Sequence, residues 1–335
     1  MEYRRLGHAG LKLSALSFGS WITFGTSLRD RGARDLLAQA YDHGINFFDS
    51  AEVYLGGEAE RMLGRAIKTL GWPRDAYCIS SKVLFGTGDK HDPARASRPT
   101  QQGLSRKHIV EACDQALARF GVDYLDIYLC HRPDPDMSIA EIAWTMHTLV
   151  QQGKILYWGT SEWPAVDVEA LIRFADRHHL VPPQLEQPQY NLYHRERVEQ
   201  EYRALTEQHG LGLTTWSPLA SGVLAGRHDD GVAAGSRMNT EGFGWLRDFV
   251  FEGSEADMIA ASRRLQPIAD ELGASRAQLA IAWALRNPQV TSVILGASSS
   301  AQLADNLGAL DVLGKLDEEQ VQRIERAFGA SAAPR

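Results

Sequence analysis

Apolar positions along this chain recur at helical spacing, and each stripe ends at a glycine and is followed by a short apolar run. Ala33, Leu36, Leu37, Ala40 and Tyr41 share one helix face before Gly44, and Ile45 to Phe48 then reads as a strand. The pattern repeats with Ala59, Met62, Leu63, Ala66, Ile67 and Leu70 before Gly71, followed by a strand from Ala76 to Val83. Ile109 to Phe120 stops at Gly121 before the strand Tyr124 to Cys130, and Ile139 to Val150 stops at Gly153 before Ile155 to Gly159. Helical segments near Val166 to His179 and Arg195 to Gln208 alternate with strands around Gln184 to Gln187 and Leu211 to Trp216. Val290 to Leu295 closes the series, and Leu13 to Phe18 opens it, which makes eight strands.

Short apolar strands alternating with amphipathic helices indicate a parallel sheet, because consecutive parallel strands need a crossover that a helix supplies. Eight such units predict a (β/α)₈ barrel of the TIM type. Tyr3 to Leu6 and Leu11 to Leu13 flank His8-Ala9-Gly10 as a small β-hairpin that would cover one barrel end, and Asp317 to Ala327 reads as an extra C-terminal helix. Two long stretches, 86–103 and 217–253, follow strands and are expected to lie over the active face as lids.

The chain has 335 residues, about twice the ~150 that serves as a prior per domain, yet barrels often use that length in one unit. A single domain spanning 1–335 is therefore expected. Hydrophobic residues make up 44% and charged residues 23%, enough for a sizeable core. The net charge is −7 and no basic run interrupts it, which argues against a nucleic-acid partner. No stretch approaches the ~18 consecutive apolar residues of a membrane span, and Met1 to Ser14 lacks the apolar block of a signal peptide, so neither membrane insertion nor export is expected and a cytoplasmic location is. Cys78, Cys113 and Cys130 are odd in number and widely spaced, which suits buried thiols in a reducing compartment.

Several common catalytic signatures are missing. No G-x-G-x-x-G opens a helix, Gly153-Lys154 lacks the rest of a phosphate loop, and neither His-Glu-x-x-His nor G-x-S-x-G occurs.

Reactive residues gather instead where a barrel does chemistry, at the C-terminal ends of its strands. Asp49 ends the second strand with Tyr54 just beyond, Lys82 is near the end of the third, and His131 ends the fourth. Each alone has a duller reading: a turn cap, a surface aromatic, a solvent-reaching lysine, a loop histidine. Their placement on one rim is what points to catalysis. An ammonium beside a phenol favours the phenolate, a carboxylate keeps that ammonium charged, and an imidazole can donate to a carbonyl oxygen. Lys82 is thus expected to make Tyr54 unusually acidic, and Tyr54 to protonate a nascent alkoxide.

The sequence resembles the aldo-keto reductases, in the branch of the voltage-gated potassium-channel β subunits and their bacterial reductase relatives. The resemblance is carried by Gly19-Ser20-Trp21, the block Gly44 to Tyr54, Gly103 to His108, His131-Arg132-Pro133-Asp134, Tyr157 to Ser161, Trp216 to Gly222 and Leu295 to Ser298. It implies a barrel that binds NADP(H) without a Rossmann domain and passes a hydride to a carbonyl. By similarity, Ser20, Trp21 and Asp49 line the nicotinamide end, Ser161 and Gln187 hold the carboxamide, and Trp216 stacks on the ring. Ser217, Leu219 and Ser221 match the pyrophosphate stretch, with Arg227 and Arg237 beyond. Gly296, Ser298, Gln302, Asp305 and Asn306 match the adenosine end, where a helix starting near Ser299 would offer amides to the 2′-phosphate; plain capping by Ser298 to Ser300 is the other reading.

The chain also departs from that branch. The mammalian channel subunits have asparagine at the position of His131, and Glu162 stands where they have arginine. Retention of His131 favours an NADP(H)-dependent oxidoreductase acting on a small aldehyde or ketone, without a metal. The competing expectation is a redox-sensing channel subunit that binds NADPH and turns over little. The resemblance further implies a homo-oligomer, a tetramer or larger.

Overall fold

The computed structural model describes residues 1–21, 30–88, 96–232, 236–239, 244–251 and 254–329. The chain opens with β1 (Tyr3–Arg5) and β2 (Lys12–Ser14), an antiparallel pair with Tyr3 opposite Ser14. Then come β3 (Leu16–Gly19), α1 (Asp30–Asp42), β4 (Phe47–Asp49), α2 (Glu58–Leu70), β5 (Cys78–Val83), α3 (Arg106–Phe120), β6 (Leu125–Cys130) and α4 (Ile139–Gln151). The second half continues with β7 (Ile155–Thr160), α5 (Ala165–Arg177), β8 (Leu185–Glu186), α6 (Arg203–His209), β9 (Gly212–Thr215) and the helices α7 (Trp245–Phe251), α8 (Glu255–Arg263), α9 (Gln266–Leu272) and α10 (Arg276–Arg286). It ends with β10 (Val290–Leu295), α11 (Ser300–Leu307), α12 (Ala309–Leu313) and α13 (Glu318–Phe328).

Strands β3 to β10 close into a barrel in the order β10-β3-β4-β5-β6-β7-β8-β9, and all eight pairings are parallel. The expected (β/α)₈ architecture is therefore present, with the expected hairpin and C-terminal helix. Two shells of apolar side chains hold it. An outer shell between strands and helices includes Leu37, Phe48, Met146, Trp158 and Trp283. An inner one fills the barrel with Phe47, Cys78, Ile127, Leu129, Leu185 and Ile294, and hairpin residues Leu6 and Leu13 belong to it. The hairpin thus plugs one barrel end, and His8 N–H donates to Gly210 O at 2.8 Å to hold it there. A Cβ at Gly7 would sit 2.0 Å from Gly210 O, and Gly7 also has φ +54, so only glycine allows this approach.

Three details differ from the sequence expectation. Leu13 to Phe18 is not one strand: Lys12–Ser14 pairs with β1, while Leu16–Gly19 pairs with β4 and β10. Arg195 to Gln208 is not one α-helix, because a wide π-type turn over Arg197–Glu201 precedes α6 and leaves Tyr202 buried, its hydroxyl donating to Trp163 O at 2.6 Å. Helices α8 to α10 have no counterpart in the sequence reading. In α10 every residue from Leu279 to Leu285 is buried, so the polar face that gives a helix its period is missing.

The three cysteines are free and buried, and burial pushes the Cys78 and Cys113 thiols up to about 12 and Cys130 higher still. Among the described residues no helix is long and apolar enough to cross a membrane, and no cluster of three or more metal-ligating side chains occurs.

Candidate active site

Parallel strands all end at the same barrel face, so β4, β5 and β6 deliver their last side chains to one place. Asp49 at the end of β4 is buried and accepts from Lys82 Nζ at 2.7 Å on Oδ2. Its Oδ1 accepts from Ser80 Oγ at 2.7 Å and from Gln187 Nε2 at 3.0 Å across the barrel. Lys82 is 1% exposed and also donates to Ser50 O at 2.8 Å and to the Tyr54 hydroxyl at 3.2 Å. All three ammonium protons are used, and they fix the nitrogen under the phenol. His131 follows β6 with its ring edge-on to Tyr54, centroids 6.0 Å apart. The four residues singled out in the sequence are thus brought together.

The electrostatics differ from expectation in one respect. Tyr54 is pushed above the ordinary phenol value of 10.0, not below it. Burial raises it, and the nearby Asp49 adds to that, against the lowering effect of Lys82. The adjacent amine is in place, yet it only offsets part of the burial. For Lys82, burial alone would favour the neutral amine, but Asp49 and Tyr54 outweigh it and hold its pKa above the usual value. His131 is driven well below the usual imidazole value by burial, with the charges of Lys82 and Arg132 adding to it. At neutral pH the site therefore presents a protonated phenol, an ammonium and a neutral imidazole. The buried Nδ1 of His131 has no hydrogen-bond partner among the described residues.

Rings continue outward from this centre. Trp21 lies 6.5 Å from Tyr54 and 6.3 Å from Trp216, while Phe85, 41% exposed, packs edge-on to His131 at 5.2 Å. Phe249 of α7 is nearly parallel to Trp216 at 6.3 Å. The Trp216 indole is anchored by its Nε1–H, which donates to Glu162 Oε1 at 2.9 Å. That carboxylate also accepts from Gln189 N at 2.5 Å and from Arg197 at 2.6 Å, so the position that departs from arginine serves here as a bracket for the indole.

A second buried carboxylate, Glu52, shapes the rim. Its Oε1 accepts from the amides of Leu84 and Gly86, both at 2.8 Å, and its Oε2 lies 3.5 Å from His108 Nε2. The other ring nitrogen of His108 pairs with Gly103 O at 2.7 Å, and Gly103 N–H donates to Leu84 O at 2.6 Å. The two ends of the stretch between β5 and α3 are clasped together, with Phe85 on the inner side. Residues 89–95 of that stretch lie outside the described residues, as do 233–235, 240–243 and 252–253 of the other long loop.

Comparison with known proteins agrees with this geometry. The model of the Aldo/keto reductase family matches residues 15–328. This chain belongs to the aldo/keto reductase family. It is 44% identical to a probable voltage-gated potassium channel subunit beta of Arabidopsis thaliana over 98% of this chain and 97% of the plant protein. A protein of the same description from Oryza sativa subsp. japonica is 44% identical, over 97% of this chain and 96% of its own length. A putative subunit of that kind from Schizosaccharomyces pombe is 41% identical, over 97% and 92%. Family membership makes the chain an oxidoreductase.

As an aldo/keto reductase, the chain is expected to hold a nicotinamide nucleotide, and its donor set fits one. Ser161 and Gln187 are buried side by side, Ser161 Oγ donating to Gln187 O at 2.8 Å. Gln187 Oε1 makes no hydrogen bond among the described residues, as a group awaiting an amide would not. Ser20 is less available: its Oγ is 2.9 Å from Ser50 Oγ and 3.1 Å from Asp49 O. After β9 the backbone turns left-handed at Ser217, Ala220 and Ser221, a strained run of non-glycine residues around Leu219 of the kind that forms anion-binding concavities. Arg227 packs over Gly222 of this turn, whereas the side chain of Arg237 lies outside the described residues.

At the adenosine end Gly296 is exposed, and Ser299 caps α11, accepting from Gln302 N–H. Gln302 Oε1 is taken by Ser298 N and Oγ, both at 2.9 Å, Asp305 accepts from Ser275 Oγ at 3.0 Å, and Asn306 is buried. The capping reading of these serines is present, and an anion at the same helix start is compatible with it. Sequence reasoning missed Glu52, Phe85, Phe249 and the role of Glu162. Glu52 lies within the block Gly44 to Tyr54, but nothing in its spacing said which amides it would find.

Proposed function

We propose that this chain is an NADP(H)-dependent reductase of aldehydes or reactive ketones, with Tyr54 as proton donor. The observation that carries the reading is the hydroxyl of Tyr54 bonded at 3.2 Å to Lys82, itself locked at 2.7 Å to Asp49. A reduced nicotinamide, when bound, supplies the hydride. Ser161, Gln187 and Trp216 would hold its carboxamide and ring, the turn from Ser217 to Ser221 with Arg227 its pyrophosphate, and Ser298 to Asn306 its adenosine end.

The chain's own work concerns the oxygen of the substrate. That oxygen sits between the Tyr54 hydroxyl and the neutral His131 ring, which polarise the carbonyl by hydrogen bonding. As charge builds on it, the Tyr54 proton moves to the oxygen and the phenolate left behind is stabilised by Lys82. Asp49 keeps Lys82 charged and oriented through this transfer. Trp21, Phe85 and Phe249 surround the site with apolar surface, which excludes water and strengthens these interactions. Steady-state NADPH oxidation with a panel of aldehydes tests the reading. Tyr54→Phe is expected to lower kcat by about 10²–10⁴-fold while NADPH still binds, and full turnover by this variant would remove Tyr54 from the role.

The names of the relatives favour a second reading, a channel-associated subunit; in that reading the chain would bind NADPH and report redox state with little turnover. Comparing the rate of cofactor release with turnover separates the two. Release slower than any chemistry supports the sensor; multiple turnovers per minute with free exchange support the enzyme.

A further inference from the structure

Arg132 immediately follows His131 and is half-buried at the inner rim of the site. Its Nη1 donates to His131 O at 2.5 Å and to Ser161 Oγ at 3.2 Å, so the head group is fixed in place. The guanidinium lies 5.9 Å from the centre of the Trp216 ring. A guanidinium carries five N–H donors, and the ones on Nε and Nη2 make no hydrogen bond to any described residue. It also forms no ion pair among the described residues. Other arginines shielded from solvent are matched by carboxylates: Arg74 by Asp126, Arg119 by Glu60 and Arg276 by Asp229. Arg195 and Arg264 differ from these, donating to carbonyls at the end of α13. None of the site's own acids is available to Arg132. Asp49 is taken by Lys82, Glu162 by Arg197, and Glu52 by two amides.

A partly desolvated cation with unused, forked donors beside His131 is suited to a bidentate anionic oxygen group. Two sources could supply one: a phosphate of the cofactor or a carboxylate on the substrate. The residues matched to phosphates stand after β9 and at the start of α11, whereas Arg132 stands after β6 beside the carbonyl-facing His131. We infer that Arg132 selects carbonyl substrates that bear a carboxylate, anchoring that group while the carbonyl lies at Tyr54. The inference rests on the carbonyl-reductase reading of this site.

The test compares 4-carboxybenzaldehyde with benzaldehyde, which share a ring and differ by the anion. In the native protein kcat/KM is expected to favour the carboxylate-bearing aldehyde by about tenfold or more. Arg132→Met should collapse that ratio to near one whatever common factor both substrates lose, and Arg132→Lys should restore part of it as a point charge. A ratio near one in the native protein overturns the inference, as does an equal loss on both aldehydes in Arg132→Met. So does a loss traced entirely to a weaker Kd for NADPH, which would make the anion a cofactor phosphate. Benzoate, which cannot be reduced, gives an independent readout through quenching of tryptophan fluorescence in the NADPH-loaded protein. Should neither aldehyde turn over, the reductase reading falls, and benzoate still decides this one: its Kd must rise about tenfold or more in Arg132→Met, and an unchanged Kd overturns it.

Discussion

At the scale of single residues, the site is governed by how burial and neighbouring charges divide between Tyr54 and Lys82. Removing the phenol from water disfavours its ionised form more than one ammonium can offset, so the proton stays on the oxygen. That suits a reducing enzyme, which must begin with a proton to give. The ammonium matters later, when the phenolate appears. The sign of the pH dependence follows: reduction needs protonated Tyr54, so its rate is held at low and neutral pH and is lost as pH rises through a pKa above 10.0. Oxidation of the alcohol needs the phenolate and should rise over the same range. Because His131 is neutral well below the ordinary 6.5, no acid-side inflection from it is expected near neutrality. Profiles of kcat/KM between pH 6 and 10.5, measured in both directions, check this; an inflection in the reductive direction near pH 8 would contradict it.

At the scale of elements, the alternation of stripes and glycine stops was enough to read the strands and most helices, because a barrel strand is buried on both faces and its helix on one. Residues that obey both rules at once were read less well. Ser14 and Leu16 belong to different sheets only one residue apart, and no apolar pattern marks that change of partner. Asp49, Lys82 and His131 were legible because strand ends are fixed points of the fold. Glu52, Glu162 and Arg132 were not, since what a side chain meets beyond a strand end depends on loops from other units. Glu52 shows the consequence, for one carboxylate joins the segment after β5 to the start of α3. Glu52→Ala would leave the amides of Leu84 and Gly86 without their acceptor, at a cost of about 1.5–3 kcal/mol for bonds to a charged group. Hydrogen exchange at those two amides should quicken by about 10- to 100-fold, with α4 and α5 unaffected. Unchanged exchange at Leu84 and Gly86 would show that the backbone bond between Gly103 and Leu84 suffices as the clasp.

For the whole molecule, the parallel barrel separates chemistry from stability along its axis. The C-terminal strand ends carry Asp49, Lys82 and His131, while the opposite end is closed by the hairpin, whose Leu6 and Leu13 are fully buried in the inner apolar shell. Leu13 sits on the hairpin and is not one of the proposed site residues, yet its side chain helps fill the barrel's interior. Leu13→Ala removes a buried methine and two methyl groups from a region that strands on all sides hold open, so little collapse can refill the space. A loss of about 2–5 kcal/mol is expected, visible as a lower urea midpoint with an unchanged slope. Below that midpoint the folded variant should keep NADPH affinity and kcat within about twofold of the native chain, since the site's bonds lie at the other end of the strands. A large fall in kcat without loss of stability would mean that packing at the plugged end sets the geometry of Tyr54 and Lys82, and the two ends would then have to be treated as one mechanical unit.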